Sequence, residues 1–135
     1  MANVLIVDDL ETDRLFEVRI IEDAGHTPFF AGDGEAAMTM YKENDIAVVI
    51  TDLRMPKVDG LSLIRGLLAH DPEAAIIAVS SLAQHLEQAE EYGAIAGLVK
   101  PVDSEDVIET IQEILEKLPA PEEGPEPDDP WGSGV

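Results

Sequence analysis

Four short apolar runs each end on residues able to do chemistry. Asp8-Asp9 follow Val4-Leu5-Ile6-Val7, Thr51-Asp52 follow Ala47-Val48-Val49-Ile50, Ser80-Ser81 follow Ile76-Ile77-Ala78-Val79, and Lys100-Pro101 follow the run 95–99. Hydrophobic periodicity does not account for this. If the runs are neighbouring parallel strands, the three carboxylates of Asp8, Asp9 and Asp52, the Ser80 hydroxyl and the Lys100 ammonium converge at the carboxyl edge of the sheet. Like charges about 5 Å apart at an effective dielectric near 20 repel by roughly 3 kcal/mol per pair, so three carboxylates require a compensating cation. The chain has no cysteine and no histidine beside these residues. An all-oxygen cluster selects a hard divalent ion, and Mg²⁺ takes one or two carboxylates while keeping waters. The remaining coordination positions suit an incoming phosphoryl group. Taken singly, Asp8 and Asp9 can cap a helix, Ser80 can satisfy loop backbone and Lys100 can be a surface charge. Only the ordered set points to phosphoryl chemistry.

The elements that must position these residues follow from the spacing of apolar side chains. Four-to-five-residue runs rich in β-branched residues suit strands buried on both faces of a parallel sheet. Thr27–Ala31 reads as a weaker fifth strand, and Pro28 demotes it to an edge. Helix-like segments lie between the strands. One covers 12–24 and ends at Gly25, a C′ residue, while Asp103-Ser104-Glu105-Asp106 supplies the cap and negative first turn of a last helix. That helix repeats Val107, Ile108, Ile111, Ile114, Leu115 and Leu118 at helical spacing. Strands alternating with helices give a doubly wound α/β fold, because parallel strands need crossovers on both faces.

Composition bounds the rest. The chain has 135 residues, with 29 acidic against 8 basic side chains and a formal net charge of −21. Such a field repels phosphodiester backbones and anionic lipid, so neither nucleic acid nor membrane is an expected partner. No signal peptide or membrane span is read, and a cytoplasmic location is expected. Residues 119–135 hold five prolines, five acidic residues and no basic one. This stretch reads as a disordered acidic tail or linker, leaving 1–118 as one foldable domain with nothing over for an output domain.

The ordered set Asp8-Asp9, Asp52-Leu53-Arg54-Met55-Pro56-Lys57-Val58-Asp59-Gly60, Ser80 and Gly93-Ala94 leading to Lys100-Pro101 resembles the receiver domain of two-component response regulators. The resemblance covers about residues 3–117. It implies a (βα)5 flavodoxin-like fold with strand order 2-1-3-4-5 and a signalling domain that at most catalyses its own phosphorylation and dephosphorylation. It implies that Asp52 accepts a phosphoryl group from a histidine kinase or histidine phosphotransfer protein. Asp9, Asp52 and the Arg54 backbone carbonyl would hold Mg²⁺, with Asp8 acting through water. Lys100 would pair with phosphoryl oxygens, Ser80 would donate a hydrogen bond to them, and the Lys100-Pro101 bond would be cis. A downstream protein would be met on the helix four, strand five and helix five face by a monomer or weak dimer.

Two positions depart from the family pattern. Gly97 stands where the family usually has an aromatic residue that acts as a rotamer switch, and Arg54 is a long cation, either a solvent-exposed charge or, as the resemblance implies for its position, one facing the path of a hydrolytic water. Gly97 makes a second reading conceivable, a phosphorylation-independent interaction module of the same fold. A flavin-binding protein is disfavoured, because Asp8-Asp9-Leu10-Glu11 would repel the flavin phosphate, and the motif order disfavours a haloacid-type phosphatase. Gly60 is read as a backbone-conformation residue, Met55-Pro56 as shaping the loop after Asp52, and His26, His70 and His85 as ordinary surface residues. On helix one, Phe16 and Ile20 share an i, i+4 edge, a candidate docking patch for a kinase helical bundle.

Overall fold

The computed structural model describes residues 2–55 and 59–117; residues 56–58 of the loop after Asp52 and the predicted tail 119–135 lie outside the described residues. Strands and helices alternate as β1 (Asn3–Val7), α1 (Glu11–Asp23), β2 (Thr27–Ala31), α2 (Gly34–Glu43), β3 (Val48–Asp52), α3 (Gly60–His70), β4 (Ile76–Ser80), α4 (Ala83–Glu91), β5 (Ala96–Val99) and α5 (Ser104–Lys117). All strand pairs are parallel and the sheet order is β2-β1-β3-β4-β5. This is the expected doubly wound, flavodoxin-like arrangement. Right-handed crossovers in both directions from β1 put helices on both faces and leave a crevice where the strand order reverses.

Strand parity divides the core into two layers. Val4, Ile6, Val48, Ile50, Ile77 and Val79 pack on one face with Ile20 and Ile21 of α1 and Ile111 and Ile114 of α5. Leu5, Val7, Val49, Ile76 and Ala78 pack on the other with Leu63, Ile64 and Leu67 of α3 and Leu86 of α4. Both faces of the three central strands are thus covered, which is why their sequences read as unbroken apolar runs.

β5 departs from the sequence expectation. It begins one residue later and none of its residues is fully buried, while Ile95 and Val99 are exposed. The reason is topological, since β5 is an edge strand with only β4 beside it. β2, the other edge, carries Pro28 as anticipated. Helix ends follow their local chemistry. Gly25 takes φ +87°, its N–H donates to the Glu22 carbonyl and the His26 N–H to the Ile21 carbonyl, closing α1 in a Schellman motif. Asp103 receives hydrogen bonds from the Glu105 N–H on its carboxylate and from the Val107 N–H on its carbonyl, at 2.8 and 3.0 Å, and so starts α5. No helix among the described residues is long and apolar enough to cross a membrane.

Candidate functional site

Strand register brings the chemical residues together. Val7 pairs with Thr51, Asp52 with Val79 and Ser80 with Val99, so β1, β3, β4 and β5 end at nearly one level. The Lys100 N–H donates to the Ser80 carbonyl at 2.9 Å, extending the ladder by one step and anchoring the lysine backbone. The Lys100-Pro101 peptide is cis, as the resemblance implied.

Asp8, Asp9 and Asp52 each offer a carboxylate oxygen, and these atoms lie within 4.8 Å of one another. Their surroundings differ. Asp8 is 1 % exposed; one oxygen accepts the Leu10 N–H at 3.0 Å, and the other, Oδ2, is buried with no hydrogen-bond partner. Burial pushes the Asp8 carboxyl up from its ordinary range, while the Leu10 amide and the Lys100 ammonium pull it back. Its backbone carbonyl accepts from the Arg14 guanidinium at 2.9 Å, which also lies over the Phe30 ring at 5.7 Å. Asp9 is exposed at the rim. Asp52, the last residue of β3, has Oδ1 facing the Arg54 N–H and Oδ2 facing Lys100 Nζ, both at 3.3 Å.

Lys100 supplies part of the compensating charge, beside the divalent cation that the sequence reading calls for. Its Nζ lies 3.3 Å from Asp52 Oδ2, 3.6 Å from Asp8 Oδ2 and 3.3 Å from Asp13 Oδ2. Burial alone would lower its pKa, but the Asp52 and Asp8 carboxylates outweigh that and hold it up at about 12. Ser80 is 2 % exposed and its Oγ accepts the Leu82 N–H at 3.1 Å, which leaves its O–H free to donate. A cleft of about 700 Å³ opens over Asp9, Asp52, Arg54, Ser80 and Lys100. With one lysine against three carboxylates among the described residues, and a buried Asp8 oxygen that has an ion pair but no hydrogen bond, the donor set fits a hard divalent cation.

Other expectations are corrected or completed. Gly60 does not use a positive φ; a side chain there would collide with the Asp52 carbonyl and Leu53, so its role is to let α3 approach the end of β3. Gly60→Ala is therefore expected to destabilise the protein by roughly 1–3 kcal/mol, measured by urea unfolding, as overpacking against fixed backbone does. Ile20 is 5 % exposed and belongs to the core beneath α1, so it forms no surface edge with Phe16, which is 54 % exposed. His85 lines the cleft. His26 is half-buried and its Nδ1 accepts the Ala2 N–H at 3.1 Å, so it too is more than a surface residue. At Gly97 an added Cβ would lie 3.1 Å from the Leu86 Cβ, so α4 packs closely on this position.

Two site residues escaped sequence reading, Asp13 and Glu17, one helical turn apart on α1. Glu17 is 5 % exposed, and its carboxyl group makes no hydrogen bond or ion pair among the described residues. Burial pushes its carboxyl up to about 8, the Asp8 charge adding to the rise and Lys100 opposing it. Its spacing from Ile20 and Ile21 was the available signal, because it puts a glutamate in phase with the buried stripe of the helix.

Comparison with known proteins gives the chain a family. Residues 4–112 match the family model described as the response regulator receiver domain. Protein CcdB of Bacillus subtilis is 32% identical over 118 residues, covering 85% of this chain and 98% of that protein. Chemotaxis protein CheY-3 of Vibrio cholerae is 32% identical over 121 residues, covering 85% and 92%. A receiver domain protein from Clostridium thermocellum superposes with a TM-score of 0.82 at 27% identity, covering 87% of this chain and 96% of that structure. With the family model matched over residues 4–112 and relatives about one-third identical along most of their own length, the chain belongs to the response regulator receiver domain family.

Proposed function

We propose that this receiver accepts a phosphoryl group on Asp52 from the phosphohistidine of a histidine kinase or histidine phosphotransfer protein, in a Mg²⁺-dependent reaction, and passes the signal on by protein contact in the cytoplasm. One observation carries the reading. The Asp52 carboxylate sits at the floor of an open cleft with Lys100 Nζ 3.3 Å from one oxygen and the Asp8 and Asp9 carboxylates beside it. Asp52 supplies the nucleophile: a carboxylate oxygen forms a bond to phosphorus as the P–N bond breaks, and the electron pair returns to the imidazole nitrogen. Asp9, Asp52 and the Arg54 backbone carbonyl would hold Mg²⁺ directly, and Asp8 would act through water. The bound ion supplies charge neutralisation at the phosphoryl oxygens. Lys100 leaves its carboxylate partners to pair with one of those oxygens, and the free Ser80 O–H donates to another. On this reading residues 1–118 are the receiver and 119–135 an acidic tail or linker. Leu82, Tyr92, Ile95 and Val99 are large, exposed apolar residues around α4 and β5, a surface suited to a downstream protein.

The test is incubation with acetyl phosphate in the presence of Mg²⁺. The wild type should gain an acid-stable, base-labile phosphate, and Asp52→Asn should gain none. If the wild type gains none either, the fold serves as a phosphorylation-independent interaction module, the reading that Gly97 in place of an aromatic switch favours.

A further inference from the structure

Asp13 makes one of the three ion pairs of Lys100, and it alone lies outside the converging cluster of Asp8, Asp9 and Asp52. Its Oδ2 is 3.3 Å from Nζ, the same distance as Asp52 Oδ2, so the ammonium is shared between β3 and the first turn of α1. The lysine also has room on the α1 side. A second cavity of about 300 Å³ is lined there by Asp13, Phe16, Glu17, Lys100, Pro101 and Val102. Glu17, one turn beyond Asp13, brings to that cavity a further carboxyl group that has no hydrogen-bond or ion-pair partner among the described residues. Lys100 therefore stands between two acidic seats, one inside the proposed phosphoryl site and one behind it.

We propose that Asp13 is a positioning residue that holds Lys100 in competition with the phosphoryl site. By drawing the ammonium away from Asp8 and Asp52 it leaves those carboxylates more negative and more receptive to a divalent cation. By the same attraction it opposes transfer of the ammonium to an incoming phosphoryl group. Asp13 thus trades phosphoryl capture for cation binding. Both consequences have the sign that Coulomb's law gives to a carboxylate 3.3 Å from the shared ammonium. The inference rests on the proposed cation and phosphoryl site; the sharing of the ammonium is read from ion pairs already present.

Asp13 is exposed enough that Asp13→Asn leaves the core untouched. In that variant Mg²⁺ affinity, titrated without any phosphodonor, should weaken roughly three- to fivefold, and beryllofluoride affinity at saturating Mg²⁺ should tighten by a similar factor. The ¹⁵N resonance of Lys100 Nζ should shift. Glu11→Gln removes an exposed charge from the same turn that makes no ion pair with Lys100 among the described residues, and its effect should stay within about twofold. In a Lys100→Met background the effect of Asp13→Asn on Mg²⁺ affinity should shrink to within about twofold, the direct pull of one partly exposed charge, because the residue through which Asp13 mainly acts is gone. Persistence of the full weakening in that background, or beryllofluoride affinity in Asp13→Asn that is unchanged or weaker, overturns the proposal. A wild type that binds no beryllofluoride at all defeats the phospho-acceptor reading instead, and the Mg²⁺ double-mutant cycle with the Lys100 resonance then decides the role of Asp13 alone.

Discussion

Urea unfolding of the wild type and of Glu17→Gln in Mg²⁺-free buffer is expected to give equal stabilities near pH 5 and a growing advantage for the glutamine variant toward pH 9. The Glu17 carboxyl, ordinarily near 4.5, is raised to about 8 in the folded protein by burial and then by the Asp8 charge. Between those two values the folded chain keeps a proton that the unfolded chain has lost. Stability contributed by the protonated form is complete below pH 4.5, declines as pH rises, and is gone above about 8. At about 1.4 kcal/mol per pH unit the full swing approaches 5 kcal/mol, an upper figure because a buried site relaxes and admits water. Glutamine keeps the shape without a titrating proton, so its curve should lack this decline. Wild-type and variant curves that run parallel from pH 5 to 9 would show that Glu17 ionises in the fold as freely as in the unfolded chain.

Lys100→Met should have opposite effects on stability and on cation binding. Three carboxylates lie within 3.6 Å of Nζ, and Asp8 is nearly fully buried. Removing the ammonium leaves them uncompensated, which is expected to cost about 2–3 kcal/mol without Mg²⁺, somewhat less than for a fully buried pair because the lysine is partly exposed. The lysine pKa is about 12, above its ordinary 10.5, so the ammonium's stabilisation is fully present below about 10 and is read whole at pH 7. Mg²⁺ affinity should rise roughly tenfold, since a like charge has left the site, and saturating Mg²⁺ should restore most of the lost stability. Phosphoryl capture should fall nevertheless. Thermal melts with and without Mg²⁺ check the first part, and equal Mg²⁺ affinities in the two proteins would contradict it.

Much of this architecture was legible because it obeys periods that a linear sequence displays. The runs through Val4, Val48 and Ile76 announced central strands by their unbroken apolar character, and Gly25 and Asp103 marked helix ends through local chemistry that needs no tertiary partner. β5 was misjudged as doubly buried because its composition matches that of the central strands, and only sheet order tells an edge from a centre. Ile20 was misassigned for a related reason. Phe16 and Ile20 are helical neighbours in sequence, but the rotation of α1 on the sheet turns one outward and the other into the core.

The sequence by itself determined which residue types stand at the ends of parallel strands, and from that the acidic pocket, the need for a cation and the candidate roles of Asp52, Ser80 and Lys100. Strand ends in such a sheet are forced together by backbone hydrogen bonding, so their convergence follows from topology alone. Only the tertiary structure decided how the charge is shared. Asp13 and Glu17 sit on a helix whose distance and rotation relative to β5 depend on side-chain packing across the whole layer. An electrostatic interaction that falls with distance and rises with burial is set by that packing, and no spacing in the chain encodes it.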